Sequence, residues 1–287
     1  MPTEIRLATR RSALALYQAG RVADRLRAVH GDMRIELVEI DSTGDLDRNS
    51  PVAQLTQMGA FVRAVQAAVL DGRADAAVHS LKDLPTAQAD GLVLAALPER
   101  ATPWDAVVGA RLADLTEGAV VGTGSPRRIA QLKAIRPDLS TRELRGNVDT
   151  RLRKVAGGEV DAAILAEAGL TRLGHTDDIS EVLTLDSMVP APGQGVLAVE
   201  TRDHGPIRGL VAVIDDHELA PLVAGERLLL TETGAGCRSA LGALAQWHDG
   251  RIRMDAFIED HNGARRTSVL GDDPAGVVAA ARKELGL

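Results

Sequence analysis

Short apolar runs alternate with stretches of helical spacing along almost the whole chain, and that alternation admits little other than a layered α/β fold. "IRLAT", from Ile5, reads as a strand, and "SALALYQAGRVADRLRAV" follows as a helix with Ser12 as its N-cap and Leu14, Tyr17, Val22, Leu26 and Val29 near helical spacing. "RIELVEI" is the next strand. After a polar loop, "AFVRAVQAAVLDG" is a helix stopped by Gly72, and "ADAAVHS" and "LVLAAL" supply further strands before Pro98.

A second lobe begins near Trp104 and repeats the order of parts. In "GAVVGTGSPRRIAQLKAI" a strand leads through a Gly-rich turn into a helix, with Ser125 suited to N-cap and Pro126 to the first helical position. It echoes "IRLATRRSALAL", as "VDAAILA", from Val160, echoes "ADAAVHS". Strands that end at helix N-termini expose free backbone N–H groups, so both turns are anion-binding candidates at an interlobe cleft. "PAPGQGVLAVE" closes the second lobe with a Pro- and Gly-rich turn and a strand that returns to the first. The stretch "DDHELAPLVAGERLLLTET" is helical, "ALGALAQW", "RIRMDAFIE" and "RRTSVL" are strands, and "PAGVVAAARKELG" is a final helix, together a small third domain.

Charge and composition exclude several functions. A formal net charge of −7 with 2% aromatic residues is unlike a nucleic-acid binder. No apolar run approaches the roughly 18 residues of a membrane span, and charges interrupt the N-terminus where a signal peptide needs apolar residues, so a cytoplasmic location is expected. Of 33 basic residues only Lys82, Lys133, Lys154 and Lys283 are lysine; the rest are arginines, whose planar forks suit carboxylates.

The single cysteine, Cys237, cannot form an internal disulfide or a cysteine-rich zinc site, and no metal is expected. It is either inert packing or a functional thiol, favoured as thiolate by Arg238 and reachable on a loop at a domain edge. A Cys/His hydrolase would need His217 or His248 as base, and no nucleophile motif accompanies it. "VHSLKDLP" puts Ser80, Lys82 and Asp83 just after an apolar strand, where loops host catalysis; the alternative is solvated loop charges. Arg127, Arg128, Arg145 and Arg151 cluster in "GSPRRIA" and "LRGNVDTRLRK", as an anion site or as a solvated helix face.

As a set, "ATRRSALAL", "AVHSLKDLP", "VGTGSPRRIAQL", "RPDL", "LRGNVDTRL", "DAAILAEAGLTRLG", "PAPGQGVLAVE" and "GAGCRSALGALA" resemble, in order, the porphobilinogen deaminase (hydroxymethylbilane synthase) family of tetrapyrrole and heme biosynthesis. The resemblance implies two periplasmic-binding-protein-like lobes, 1–98 with 194–214 and 99–193, plus a small α/β domain at 215–287. It implies a transferase that condenses four porphobilinogen molecules on a covalent dipyrromethane primer held through Cys237, and a monomer without nucleic-acid or membrane partners. Asp83 would stabilise the positive charge that develops as ammonia leaves, and Lys82 carries over beside it as a second catalytic residue. Ser80, Lys82, Asp83, Thr123, Ser125, Arg127, Arg128, Arg145, Gly146 and Asn147 carry over as cofactor contacts, and Arg10, Ser12, Phe61, Arg145, Arg151, Arg172 and Gln194 as substrate contacts. The chain departs from the family pattern at Gln54 and Met58, often lysines, and at Arg238 and Ala240, usually glutamine and proline. The rival is a non-enzymatic two-lobed receptor for acidic ligands, or an inactive paralogue that keeps the fold; the presence of both Asp83 and Cys237 favours the enzyme.

Overall fold

The computed structural model describes residues 2–41, 53–234 and 240–287. Cys237 and Arg238 lie outside the described residues, as do the side chains of Gln54 and Met58. The chain forms two compact units, Met1–Arg100 with Val196–Ala220 and Ala101–Gly195 with Pro221–Leu287.

The chain opens with β1 (Glu4–Arg10), α1 (Ala13–His30), β2 (Arg34–Ile40), α2 (Ala53–Leu70) and β3 (Ala76–Ser80). A 3-10 turn at Leu81–Asp83 precedes β4 (Leu92–Ala96). In the second unit come β5 (Asp105–Val108), β6 (Val120–Gly122), α3 (Pro126–Ile135), β7 (Ser140–Arg142), α4 (Val148–Ala156), β8 (Ala162–Ala166), α5 (Glu167–Arg172) and β9 (Ile179–Leu183). β10 (Leu197–Arg202) and α6 (Pro206–Ala212) return to the first unit. The chain ends with α7 (Leu219–Glu232), β11 (Ala240–His248), β12 (Arg251–Asp260), β13 (Gly263–Gly271) and α8 (Pro274–Leu285).

The two large sheets share one plan. Their orders are β2-β1-β3-β10-β4 and β7-β6-β8-β5-β9. In each, the first three strands run parallel, and a strand from elsewhere in the chain inserts antiparallel between the third and the last. Even the irregularities correspond: the register shifts between Val199 and Glu200 in one inserted strand and between Val107 and Val108 in the other. The echo between the lobes is therefore structural. It extends to the helices, because Ser12 and Ser125 each cap a helix through their hydroxyls, accepting from Ala15 N and Arg128 N, and a buried glutamine, Gln18 or Gln131, stands at the same distance beyond each cap.

Both faces of each large sheet are covered, so the strands alternate between two cores. In the first unit Ile5, Leu7, Ala76, Val78, Leu197 and Val199 pack under α1, whereas Ala8, Ala77 and Leu92 pack under α2. The α1 face differs from the one read from its apolar spacing. Tyr17 and Val29 are 43% and 56% exposed, while Gln18, Ala19, Val22, Ala23 and Leu26 are buried. Small Ala19 and Ala23 let the helix lie close on the sheet, and Gln18 turns inward because its amide finds a partner, the Ser80 hydroxyl at 2.7 Å. The short strands β5, β7 and β9 and helix α6 were also not anticipated as elements. Among the described residues no helix is long and apolar enough to cross a membrane.

The third sheet, β11-β12-β13, is antiparallel and buries one face against α7 and α8. Glu226 on α7 is fully buried and accepts hydrogen bonds from Gly193 N at 2.7 Å and Ala245 N at 2.9 Å, tying the turn before β10 to β11. Glu226→Ala should lower the unfolding free energy by about 1–3 kcal/mol for each N–H it orphans. Urea denaturation should show this as a lower midpoint at unchanged slope.

Candidate functional site

The first unit carries one group of expected site residues on the C-terminal ends of parallel strands. β3 is central and apolar until its last two residues, and the chain then turns at Leu81–Asp83. Leu81 is buried, its N–H donates to Val196 O at 3.0 Å, and Leu84 N–H closes the turn on Leu81 O at 3.0 Å. Pro85 keeps this turn from extending into a helix. Lys82 and Asp83 are thereby held half-buried at the strand end. Among the described residues no side chain bonds or pairs with the Asp83 carboxylate. Ser80 is spanned by Gln18, Ser12 caps α1, and the Arg10 guanidinium lies 4.0 Å above the Phe61 ring, a cation–π contact that aligns it.

In the second unit Arg127 and Arg128 point into the protein rather than out of a solvated helix face. Both are buried and converge on Asp105, the first residue of β5. Arg127 Nη1 reaches Asp105 Oδ2 at 2.7 Å and Arg128 Nη2 reaches Oδ1 at 2.7 Å, with further bonds from Arg127 to Val189 O and from Arg128 to Ile164 O. Gln194 Nε2 adds a bond to Asp105 Oδ1 at 3.1 Å. Burial pushes the Asp105 pKa up, but the two guanidiniums outweigh it and hold the carboxyl well below the usual carboxylate range. Burial, with the neighbouring charge of Arg127, lowers the Arg128 pKa despite Asp105, yet a guanidinium starts so far above neutrality that it stays charged.

The second unit holds the further expected residues Thr123, Arg145, Gly146, Asn147, Arg151 and Arg172. Thr123 Oγ1 accepts from Ser125 N and shapes the turn into α3. Asn147 caps α4 by accepting from Thr150 N at 2.9 Å, and Arg151 Nε donates back to Gly146 O at 2.9 Å. Gly146 has φ 112°, and a Cβ there would lie 2.6 Å from Thr150 Cγ2, so only glycine fits. Arg145 is half-buried and pairs with Glu143 at 3.2 Å. Arg172 is buried and donates to Gly195 O at 2.8 Å. His217 and His248, the bases a hydrolase would need, have side chains 89% and 55% exposed and neighbour Asp215 and Asp249 respectively.

A model of the family "Porphobilinogen deaminase, dipyromethane cofactor binding domain" matches residues 5–206. Porphobilinogen deaminase of Thermobifida fusca is 48% identical over 97% of this chain and 90% of its own length. The chain belongs to the porphobilinogen deaminase family. The probable porphobilinogen deaminase of Pyrobaculum neutrophilum is 43% identical over 96% of this chain and 95% of its own. Among solved structures, the methionine-binding protein MetQ aligns with 83% of this chain and 96% of its own at a TM-score of 0.48 and 12% identity, which assigns neither ligand nor reaction.

The description names a dipyromethane cofactor, and the donors of the Asp105 cluster fit an acidic group. Ion pairs set two guanidiniums against the one carboxylate of Asp105, which leaves net positive charge, and the buried Arg127 Nε has no hydrogen-bond partner. Asp105 itself was not anticipated, nor were Gln18, Gln131 and Glu226. Asp105, Gln18 and Gln131 each interrupt an apolar run, as in "WDAVV", and that interruption is the signal by which such residues are found; Glu226, followed by Arg227, lacks it.

Asp105→Asn should cost about 3–5 kcal/mol, because it leaves two buried guanidiniums without a counter-charge. The Asp105 pKa is depressed on folding, so its contribution is present above the unfolded value and lost as pH falls through the folded one. Urea midpoints of wild type and variant should therefore differ by a constant amount from neutrality down to about pH 5 and converge only below about pH 4.

Proposed function

We propose that this chain, as a porphobilinogen deaminase, condenses porphobilinogen head to tail on a dipyrromethane carried by Cys237, with Asp83 as the catalytic carboxylate. The reading is carried by Asp83: a half-buried carboxylate at the end of a central strand, unpaired among the described residues, in a chain of this family. Bound, the dipyrromethane would supply the free pyrrole α-carbon that receives the first incoming ring, each later ring adding to the end of the growing chain.

The chain's own residues bind, orient and move protons. As the aminomethyl C–N bond of porphobilinogen breaks and ammonia leaves, positive charge spreads onto the pyrrole N–H. A fixed carboxylate at Asp83 stabilises that charge without reorganising. When the new C–C bond forms, the ring α-proton must go to a base, and the same carboxylate accepts it. Lys82, beside it, offers a cation to the acetate or propionate of the incoming ring.

Arg127 and Arg128 divide their donors between Asp105 and the acidic ligand. Arg145, Arg151 and the free N–H groups at the start of α4 form a second anion-binding turn with Gly146 and Asn147. Thr123, Ser125, Arg172 and Gln194 line or support these turns in the second unit. Arg10, Ser12, Phe61 and Ser80 do so in the first.

Asp83→Asn keeps the side-chain shape and removes the charge, so kcat should fall by about 10²–10³-fold with the urea midpoint unchanged. Wild-type turnover in that variant would reject the assignment. Intact mass should show a two-pyrrole adduct on the purified chain that is lost in Cys237→Ser, and limiting porphobilinogen should produce a ladder of evenly spaced adducts above it. Reversible binding with no covalent adduct would instead indicate a receptor.

A further inference from the structure

Behind the Lys82–Asp83 turn lies a buried polar group that the proposed chemistry does not use. Glu200 on β10 and Gln66 on α2 are both buried, and Gln66 Nε2 donates to the two carboxylate oxygens of Glu200 at 3.2 and 2.9 Å. His79 Nε2, also buried, stands 3.1 Å from Glu200 Oε2, a charge-pair distance whose angle falls short of a hydrogen bond. In the antiparallel register Glu200 faces Ala77 and Ala198 faces His79, so His79 and Glu200 are diagonal neighbours on the sheet face that α2 covers. Glu200 sits where the β10 register shifts, and such irregularities re-aim side chains beside active sites.

A buried carboxylate costs desolvation that an apolar residue of the same size would avoid. What this one does is join three elements, β3, β10 and α2. On the opposite face of β3, Gln18 grips Ser80, so the strand end is held by polar groups from both sides just before Lys82 and Asp83. We propose that Glu200, with Gln66 and His79, is a positioning group that sets the end of β3 and thereby the placement of the Asp83 carboxylate. The inference rests on the reading of Asp83 as the catalytic carboxylate.

The test uses holoenzyme of Glu200→Gln and Gln66→Leu, with Asp83→Asn alongside; Gln66→Leu serves if Glu200→Gln does not fold. In both network variants kcat should fall between about 10-fold and 100-fold, the scale on which a displaced catalytic group costs rate. KM should stay within about twofold, because ligand contacts are intact. Deuterium uptake should quicken at the Leu81 and Leu84 amides, the two that fasten the turn. Wild-type kcat in both variants, a loss that only follows the unfolded fraction, or a rise in KM alone would overturn the proposal. If Asp83→Asn is inactive while both network variants keep wild-type kcat, the positioning group fails and the reading of Asp83 stands. If Asp83→Asn turns over normally, that reading fails, and uptake at Leu81 and Leu84 alone decides whether the network holds the turn.

Discussion

A carboxylate wholly removed from water must be surrounded by donors, and Asp105 is. Its partners come from α3 and from the turn before β10, so one charge fixes where a helix, a strand and a Gly-rich turn meet. Because two guanidiniums answer one carboxylate, the Asp105 charge is balanced and the cluster keeps a net positive charge. The arginines are held in a set geometry, so little side-chain entropy remains to them.

The first unit solves the same problem with different groups. Both lobes end a parallel strand at a turn, cap the following helix with serine, and bury a glutamine beyond the cap. In the second lobe that glutamine, Gln131, grips the backbone of Val189 from both sides of its amide, whereas in the first Gln18 grips Ser80. One architecture carries two chemistries: a cationic cluster in the second unit and, in the first, a carboxylate without a protein partner among the described residues. The division suits a reaction in which an acidic chain is held and a cationic centre is made.

Much of the fold was legible because its signals are local. Ser12, Ser125, Pro126 and Gly72 act within a turn of their own helices, and each does what its residue type suggests. The α1 face differs at Tyr17 because hydrophobicity alone does not rank positions when a buried glutamine has a partner 62 residues away. β5, β7 and β9 have only 4, 3 and 5 residues, too few for a period to stand out from an Ala-rich background.

The candidate site divides along the same line. Lys82, Asp83, Arg127 and Arg128 were visible as unusual residues at strand ends, and the family resemblance rested on motifs that need no coordinates. What those residues touch was not visible. Asp105 lies 22 residues before Arg127 and 89 before Gln194, and Glu200 lies 134 after Gln66. The sequence by itself determined the alternation of elements, their caps and the residue types at the turns, because those depend on backbone sterics and neighbours within a few positions. Only the tertiary structure decided which arginine is spent on an internal carboxylate and which buried groups brace the Asp83 turn, because desolvated charges choose partners by proximity in space.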